Sequence, residues 1–111
     1  MRIFPVLALA LMAATGSLGD RAFAGDLTAG KAKAEAMCQV CHGLYGQATA
    51  PMAANLSGQL KEYIIAQLEA YRAGKRQHEQ MSIIAGMLGD DDIENLAEWY
   101  SSIKITIEIP N

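Results

Sequence analysis

Cys38-Gln39-Val40-Cys41-His42 is the stretch that decides how this chain is read. A Cys-x-x-Cys-His run is the attachment signature of c-type haem. Two thiols three residues apart can add to the two vinyl groups of a haem, and the adjacent imidazole reaches the iron from the same side. A group held in this way does not dissociate, so the chain becomes a permanent redox carrier. Other uses of the pair fit less well. A zinc site needs four ligands, and the chain has two Cys and two His in all, with His42 directly abutting Cys41. A thioredoxin-like pair would follow a strand, whereas the residues before Cys38 carry a helical pattern. A disulfide across so short a loop would stabilise little.

Upstream of the motif lies an address. Arg2 is a short basic region, Ile3 to Ala14 is an unbroken apolar run, and Ala22-Phe23-Ala24 is a small-x-small cleavage signal. The run is too short for a membrane span, which needs about 20 residues. Residues 1–24 are therefore expected to be a cleaved signal peptide, with no stable membrane anchor, and residues 25–111 an exported, periplasmic domain. That domain holds seven basic and eleven acidic side chains, a net charge of −4. Nucleic acid is an improbable partner for it. So short a chain buries little apolar surface by itself, and a covalently held haem would act as its staple.

Three helical patterns follow, so the fold class is all-α. Asp26 caps a first helix whose inner stripe is Leu27, Gly30, Ala34, Met37/Cys38 and Cys41. A second runs from about Gln59 to Ala73, with Ser57 as its cap, a stripe of Leu60, Tyr63, Ile64, Leu68 and Tyr71, and Gly74 as its stop. The last opens at Gly89 or Asp90 and carries Ile93, Leu96, Ala97, Tyr100 and Ile103, with Asp90, Asp91 and Asp92 suited to the positive end of its dipole.

The order of these pieces resembles class I cytochrome c of the short bacterial monohaem type. The glycine eight residues before the first cysteine, MCQVCHG, the loop PMAANLSGQ, the helix ending YRAGKR and the closing MSIIAGMLGDDDIENLAEWY carry the likeness. The resemblance implies a small fold packed around one covalently attached haem c, with first and last helices crossing at Gly30 against Leu96 and Trp99. It implies that the carbonyl of Pro51 orients His42. The family often has a proline where Ala54 stands and a serine where Gly89 stands.

Haem held by Cys38 and Cys41, with His42 on the iron, still needs a sixth ligand. Met1 and Met12 leave with the signal peptide, and Met37 sits on the wrong side of the ring, which leaves Met52, Met81, Met87 and His78. The resemblance singles out Met81; Met87 reads as core filler. His/Met ligation raises the reduction potential and closes both axial positions, as suits an electron carrier rather than an enzyme. Arg72, Lys75, Arg76 and Tyr71 could meet the haem propionates or complement a helix end. The tail, residues 103–111, alternates apolar and polar residues like a strand. It either lies along the domain or pairs with a strand edge elsewhere. The expected function is single-electron transfer between a dehydrogenase donor and an oxidase or reductase acceptor. The protein would be free, or held as the haem subunit of a flavoprotein or other dehydrogenase, as in the similar flavocytochrome c sulfide dehydrogenases. The competing reading is a haem-based gas sensor or small peroxidase with a labile sixth ligand.

Overall fold

The computed structural model describes residues 24–111 and contains five helices: α1 Leu27–Met37, α2 Gln39–His42, α3 Lys61–Arg72, α4 Met81–Gly86 and α5 Asp90–Ser102. There is no strand among the described residues, in keeping with the all-α expectation. The expected signal peptide lies outside the described residues except for Ala24.

α1 begins where the sequence places it. Asp26 has extended backbone, and its carboxylate accepts from the N–H of Ala29 at 3.0 Å, satisfying one of the donors that a helix start leaves unpaired. Replacing Asp26 by alanine is expected to cost about 1 kcal/mol, read as a lower urea midpoint at unchanged slope. The helix stops at Met37, one residue before the motif, so the expected stripe does not run unbroken to Cys41. Leu27, expected on that stripe, is exposed, because the α5 backbone lies against Gly25 and Gly30 and Leu27 falls to one side of that line.

α1 and α5 cross at close range. A Cβ on Gly30 would stand 2.0 Å from the carbonyl oxygen of Asn95 and 3.0 Å from Cβ of Trp99. The expected Trp99 is present. Leu96 is displaced from first place by the Asn95 carbonyl, since Leu96 turns into the core, where it is almost fully buried. Polar contacts reinforce the crossing: the N–H of Asp26 donates to Asn95 Oδ1 at 2.7 Å, and Lys33 pairs with Asp92 at 3.1 Å.

The core is built on α5. Ile93, Leu96, Ala97 and Tyr100 are buried from this helix and meet Ala34, Ile64 and Leu88, with Met37, Cys38, Leu44, Leu56, Ile65, Leu68 and Trp99 packed around them. α3 closes one side. It starts at Lys61, and Ser57 does not cap it, because the Ser57 hydroxyl donates instead to the Tyr45 carbonyl at 2.5 Å. Of its expected stripe only Ile64 is buried; Leu68 and Tyr71 are half-buried, while Leu60 and Tyr63 are exposed. Ion pairs fix both its ends on α5. Lys61 meets Glu98 at 2.8 Å and Glu94 at 3.5 Å. Arg72 donates to the Leu88 carbonyl at 3.2 Å and to Asp90 at 2.7 Å. Gly74, at φ 74°, ends the helix as expected.

The short helix α4 escaped the sequence reading, since six residues are too few for a periodic signal. Its start is capped by His78, whose Nδ1 accepts from the N–H groups of Gln80 at 3.2 Å and Met81 at 3.3 Å. Ser82 Oγ accepts in return from the His78 N–H at 3.0 Å. At its other end Ala85 and Leu88 are buried, and Met87 is 59% exposed, so Met87 is not the core filler it was expected to be. α5 then opens with Gly89 in place of a serine cap, and Asp92 Oδ2 takes the Gly89 N–H at 3.0 Å. That bond holds the Asp92 carboxyl below the ordinary range; burial opposes it, and Lys33 adds to it. The resulting stability is fully present above the unfolded-state pKa of Asp92 and is lost as pH falls through the lower folded-state value.

Candidate haem centre

The motif sits on one tight turn. Cys38 links α1 to α2; its carbonyl accepts from the N–H of His42 at 3.0 Å and of Cys41 at 3.3 Å. This turn sets Cys38, Cys41 and His42 within one short helical stretch of backbone. Gly43 follows with φ 74°, and a Cβ there would stand 2.2 Å from the Gln47 carbonyl oxygen, so only glycine lets the chain fold back at once.

The returning loop binds α2 along its length. Thr49 and Ala50 donate their N–H groups to the Cys41 carbonyl at 2.9 and 3.2 Å, and the Thr49 hydroxyl donates to the Val40 carbonyl at 2.9 Å. These bonds satisfy carbonyls that so short a helix leaves open. α5 holds the loop from behind: Trp99 Nε1–H donates to the Leu44 carbonyl at 2.8 Å and the Tyr100 hydroxyl to the Gly43 carbonyl at 3.1 Å. Sequence reasoning placed Trp99 at the helix crossing and Tyr100 in the core, and missed both bonds. The available signal was that a Trp or Tyr taken inside needs a partner for its polar hydrogen.

His42 is oriented by one contact. Its Nδ1 lies 2.7 Å from the Ala54 carbonyl oxygen. A carbonyl only accepts, so Nδ1 carries the hydrogen and Nε2 keeps its lone pair free for a metal. The carbonyl is that of Ala54 and not of Pro51. Pro51 stands at the tip of a turn closed by the Ala53 N–H on the Ala50 carbonyl at 3.3 Å, with Met52 at φ 68°, and the chain reaches the ring only after that turn.

The two thiols are half-buried and unpaired. Burial pushes the Cys38 thiol up to about 11, partly offset by the Tyr100 hydroxyl and Lys33. Burial likewise raises the Tyr100 hydroxyl, with Cys38 contributing. Cys38 therefore stands against the main core, on Tyr100.

Met81 is half-buried at the first position of α4, a helix packed on α3. His78 is committed at Nδ1 to capping α4, and Met52 is 99% exposed. The donor set fits a haem: two thiols on one turn, an imidazole with a free Nε2, and thioether sulfurs in the later segment. Val40, Leu60, Tyr63, Ile83 and Met87 are all exposed, apolar surface of the kind a large flat apolar group would cover. Arg72 is spent on Leu88 and Asp90. Arg76 donates to Gln67 Oε1 at 2.6 Å and stacks on Tyr71 at 4.7 Å, so neither arginine stands free for a propionate.

Known proteins resemble this chain over most of its length. The family model described as cytochrome c oxidase, cbb3-type, subunit III matches residues 25–99. The chain is 35% identical over 101 residues to cytochrome c4 of Pseudomonas aeruginosa, covering 91% of this chain and 50% of that protein. It is 40% identical over 82 residues to cytochrome c-554(548) of Halomonas halodenitrificans, covering 71% of this chain and 98% of that one. The crystal structure of reduced recombinant cytochrome c4 from Pseudomonas stutzeri superimposes with a TM-score of 0.66 at 36% identity, covering 73% of this chain and 47% of that chain. The chain thus spans about half the length of the cytochromes c4 it matches, and nearly all of the cytochrome c-554(548).

Proposed function

Since this chain belongs to the class I c-type cytochromes and its cofactor is haem c, we propose that Cys38 and Cys41 carry the haem as thioethers and that His42 and Met81 take its axial positions. Proteins of this family are electron carriers rather than catalysts, and electron transfer is the function of this chain. The observation that supports the proposed ligation best is the 2.7 Å contact of His42 Nδ1 with the Ala54 carbonyl, which aims a basic Nε2 away from the loop. Bound there, haem c supplies a one-electron ferric/ferrous couple.

The side chains then have separate tasks. Ala54 fixes the tautomer of His42 and strengthens it as a donor. Trp99 and Tyr100 hold the loop behind it through the Leu44 and Gly43 carbonyls, which would keep the imidazole in one orientation. Met81, on a helix capped by His78 and Ser82, offers a soft sulfur that favours the reduced metal. With His42 and Met81 both committed to the iron, no position would be left for a substrate, and the bound group would serve one-electron exchange with a donor such as a dehydrogenase and an acceptor such as an oxidase or reductase. Residues 1–24 direct the chain to the periplasm and are removed there. No helix among the described residues is long and apolar enough to cross a membrane.

Met81 and Met87 are told apart by substitution. Met81→Ala is expected to abolish the far-red thioether-to-iron band of the oxidised protein and to lower its reduction potential, while Met87→Ala leaves the band in place. Loss of the band in Met87→Ala alone would move the ligand to Met87. A reversible potentiometric titration of the unaltered protein is expected to give a single one-electron wave.

A further inference from the structure

After α5 the chain alternates Ile103, Ile105, Ile107 and Ile109 with Lys104, Thr106 and Glu108, and Pro110 ends the pattern. The segment is extended. Among the described residues, the backbone from Lys104 onward makes no hydrogen bond within the chain. Its first part rests on the domain, where Ile105 Cγ1 and Cδ1 lie 3.6 and 3.8 Å from the position a Cβ would take on Gly58. Ile107 and Ile109, which follow Ile105 at two-residue spacing, are 77% and 84% exposed.

A row of unpaired N–H and C=O groups beside one apolar face is a template for another strand. The tail's own sequence specifies which. When the tail pairs antiparallel with a second copy of itself, the isoleucines stay on one face only if the two-fold axis passes through a residue. An axis at Thr106 sets Lys104 opposite Glu108 of the second copy and Glu108 opposite Lys104. It also sets Ile105 opposite Ile107 and Ile103 opposite Ile109. An axis at Lys104 or Glu108 would set like charges against each other, and one at Ile105 or Ile107 would leave both charges unmatched.

We propose that this chain forms a two-fold dimer in which the tails pair antiparallel about Thr106. Two strands alone are marginal in water, but this ribbon is seated. Ile107 of the second copy comes beside Ile105, next to Gly58, and Ile109 of the second copy comes beside Ile103. The isoleucines that a single chain exposes thereby cover an open groove of about 330 Å³ bordered by Tyr45, Gln47, Ser57 and residues Ile103 to Thr106. The interface is isologous, so it closes at two copies and leaves no free edge along the paired side. It stands independently of which side chains ligate the iron.

Sedimentation equilibrium of the haem-loaded protein tests it. The unaltered protein is expected to be a dimer. Lys104→Glu and Glu108→Lys, each alone, are expected to weaken dimerisation on the order of tenfold or more, because each turns two attractive pairs into repulsive ones. An equimolar mixture of the two variants, or the chain carrying both substitutions, regains the dimer. The visible spectrum stays unchanged throughout, since the tail lies outside the helical core. A monomeric unaltered protein would overturn the proposal. So would a dimer indifferent to both reversals, or a failure of the paired reversals to restore it. A monomer whose tail instead docks on a strand edge of a purified dehydrogenase would overturn it in favour of that partner.

Discussion

Replacing both Cys38 and Cys41 by alanine is expected to give a chain that keeps no haem through denaturing electrophoresis and that unfolds at far lower denaturant than the parent. Under the proposed attachment, these sulfurs supply the only bonds that survive denaturation. The effect on folding follows from the small core. Among the described residues its buried apolar side chains are Ala34, Ile64, Ala85, Leu88, Ile93, Leu96, Ala97 and Tyr100, three of the eight being alanine, while Leu60, Tyr63, Ile83 and Met87 lie exposed. A domain of this size has little apolar burial to set against chain entropy. Haem staining and circular dichroism of the exported protein check both parts. Retention of stainable haem in the double variant would contradict the attachment.

The second large effect is expected at Gly30. Gly30→Val should destabilise the fold by roughly 3 kcal/mol or more, measured by urea unfolding. The atoms that a Cβ would strike are the Asn95 carbonyl oxygen at 2.0 Å and its carbon at 2.7 Å. Both are backbone of a helix and cannot swing aside as a flexible side chain would. α1 and α5 must separate, and the core that Ala34 shares with the buried residues of α5 opens with them. Gly86→Ala is the control. No atom lies within 4 Å of its added methyl, and it stands in a helix with no positive φ, so the change should be neutral or stabilising. Equal losses at both positions would mean that glycine flexibility, and not the helix crossing, governs the first result.

These two sites also mark what the sequence made legible. The pentapeptide was readable because covalent chemistry fixes its spacing, and Asp26, Gly30 and Gly74 because caps, close crossings and helix stops obey local rules. The Ala54 carbonyl was not readable. Which loop carbonyl meets His42 depends on the turn at Pro51 and Met52, and a carbonyl leaves no trace in residue identity. Periodicity put Leu60, Tyr63 and Ile64 on one stripe, yet Leu60 precedes α3 and is exposed together with Tyr63, and only Ile64 joins the core, because periodicity does not tell what covers each residue. Met87 misled for the same reason, since an apolar residue in an apolar run reads as buried. Ser57 looked like a cap by type and position, yet a hydroxyl binds whichever acceptor the folded loop presents, here the Tyr45 carbonyl. The tail was legible as a strand pattern, and its self-complementary charges appear only when it is set against a copy of itself.

The proposed closure of both axial positions by His42 and Met81 separates an electron carrier from a gas sensor or peroxidase. Visible absorption of the reduced, haem-loaded protein, recorded before and after addition of carbon monoxide at neutral pH, tests it most directly. An unchanged spectrum is the expected result. A rapid shift on addition would mean an open or labile sixth position, and would replace the carrier with a protein that binds small ligands at its iron.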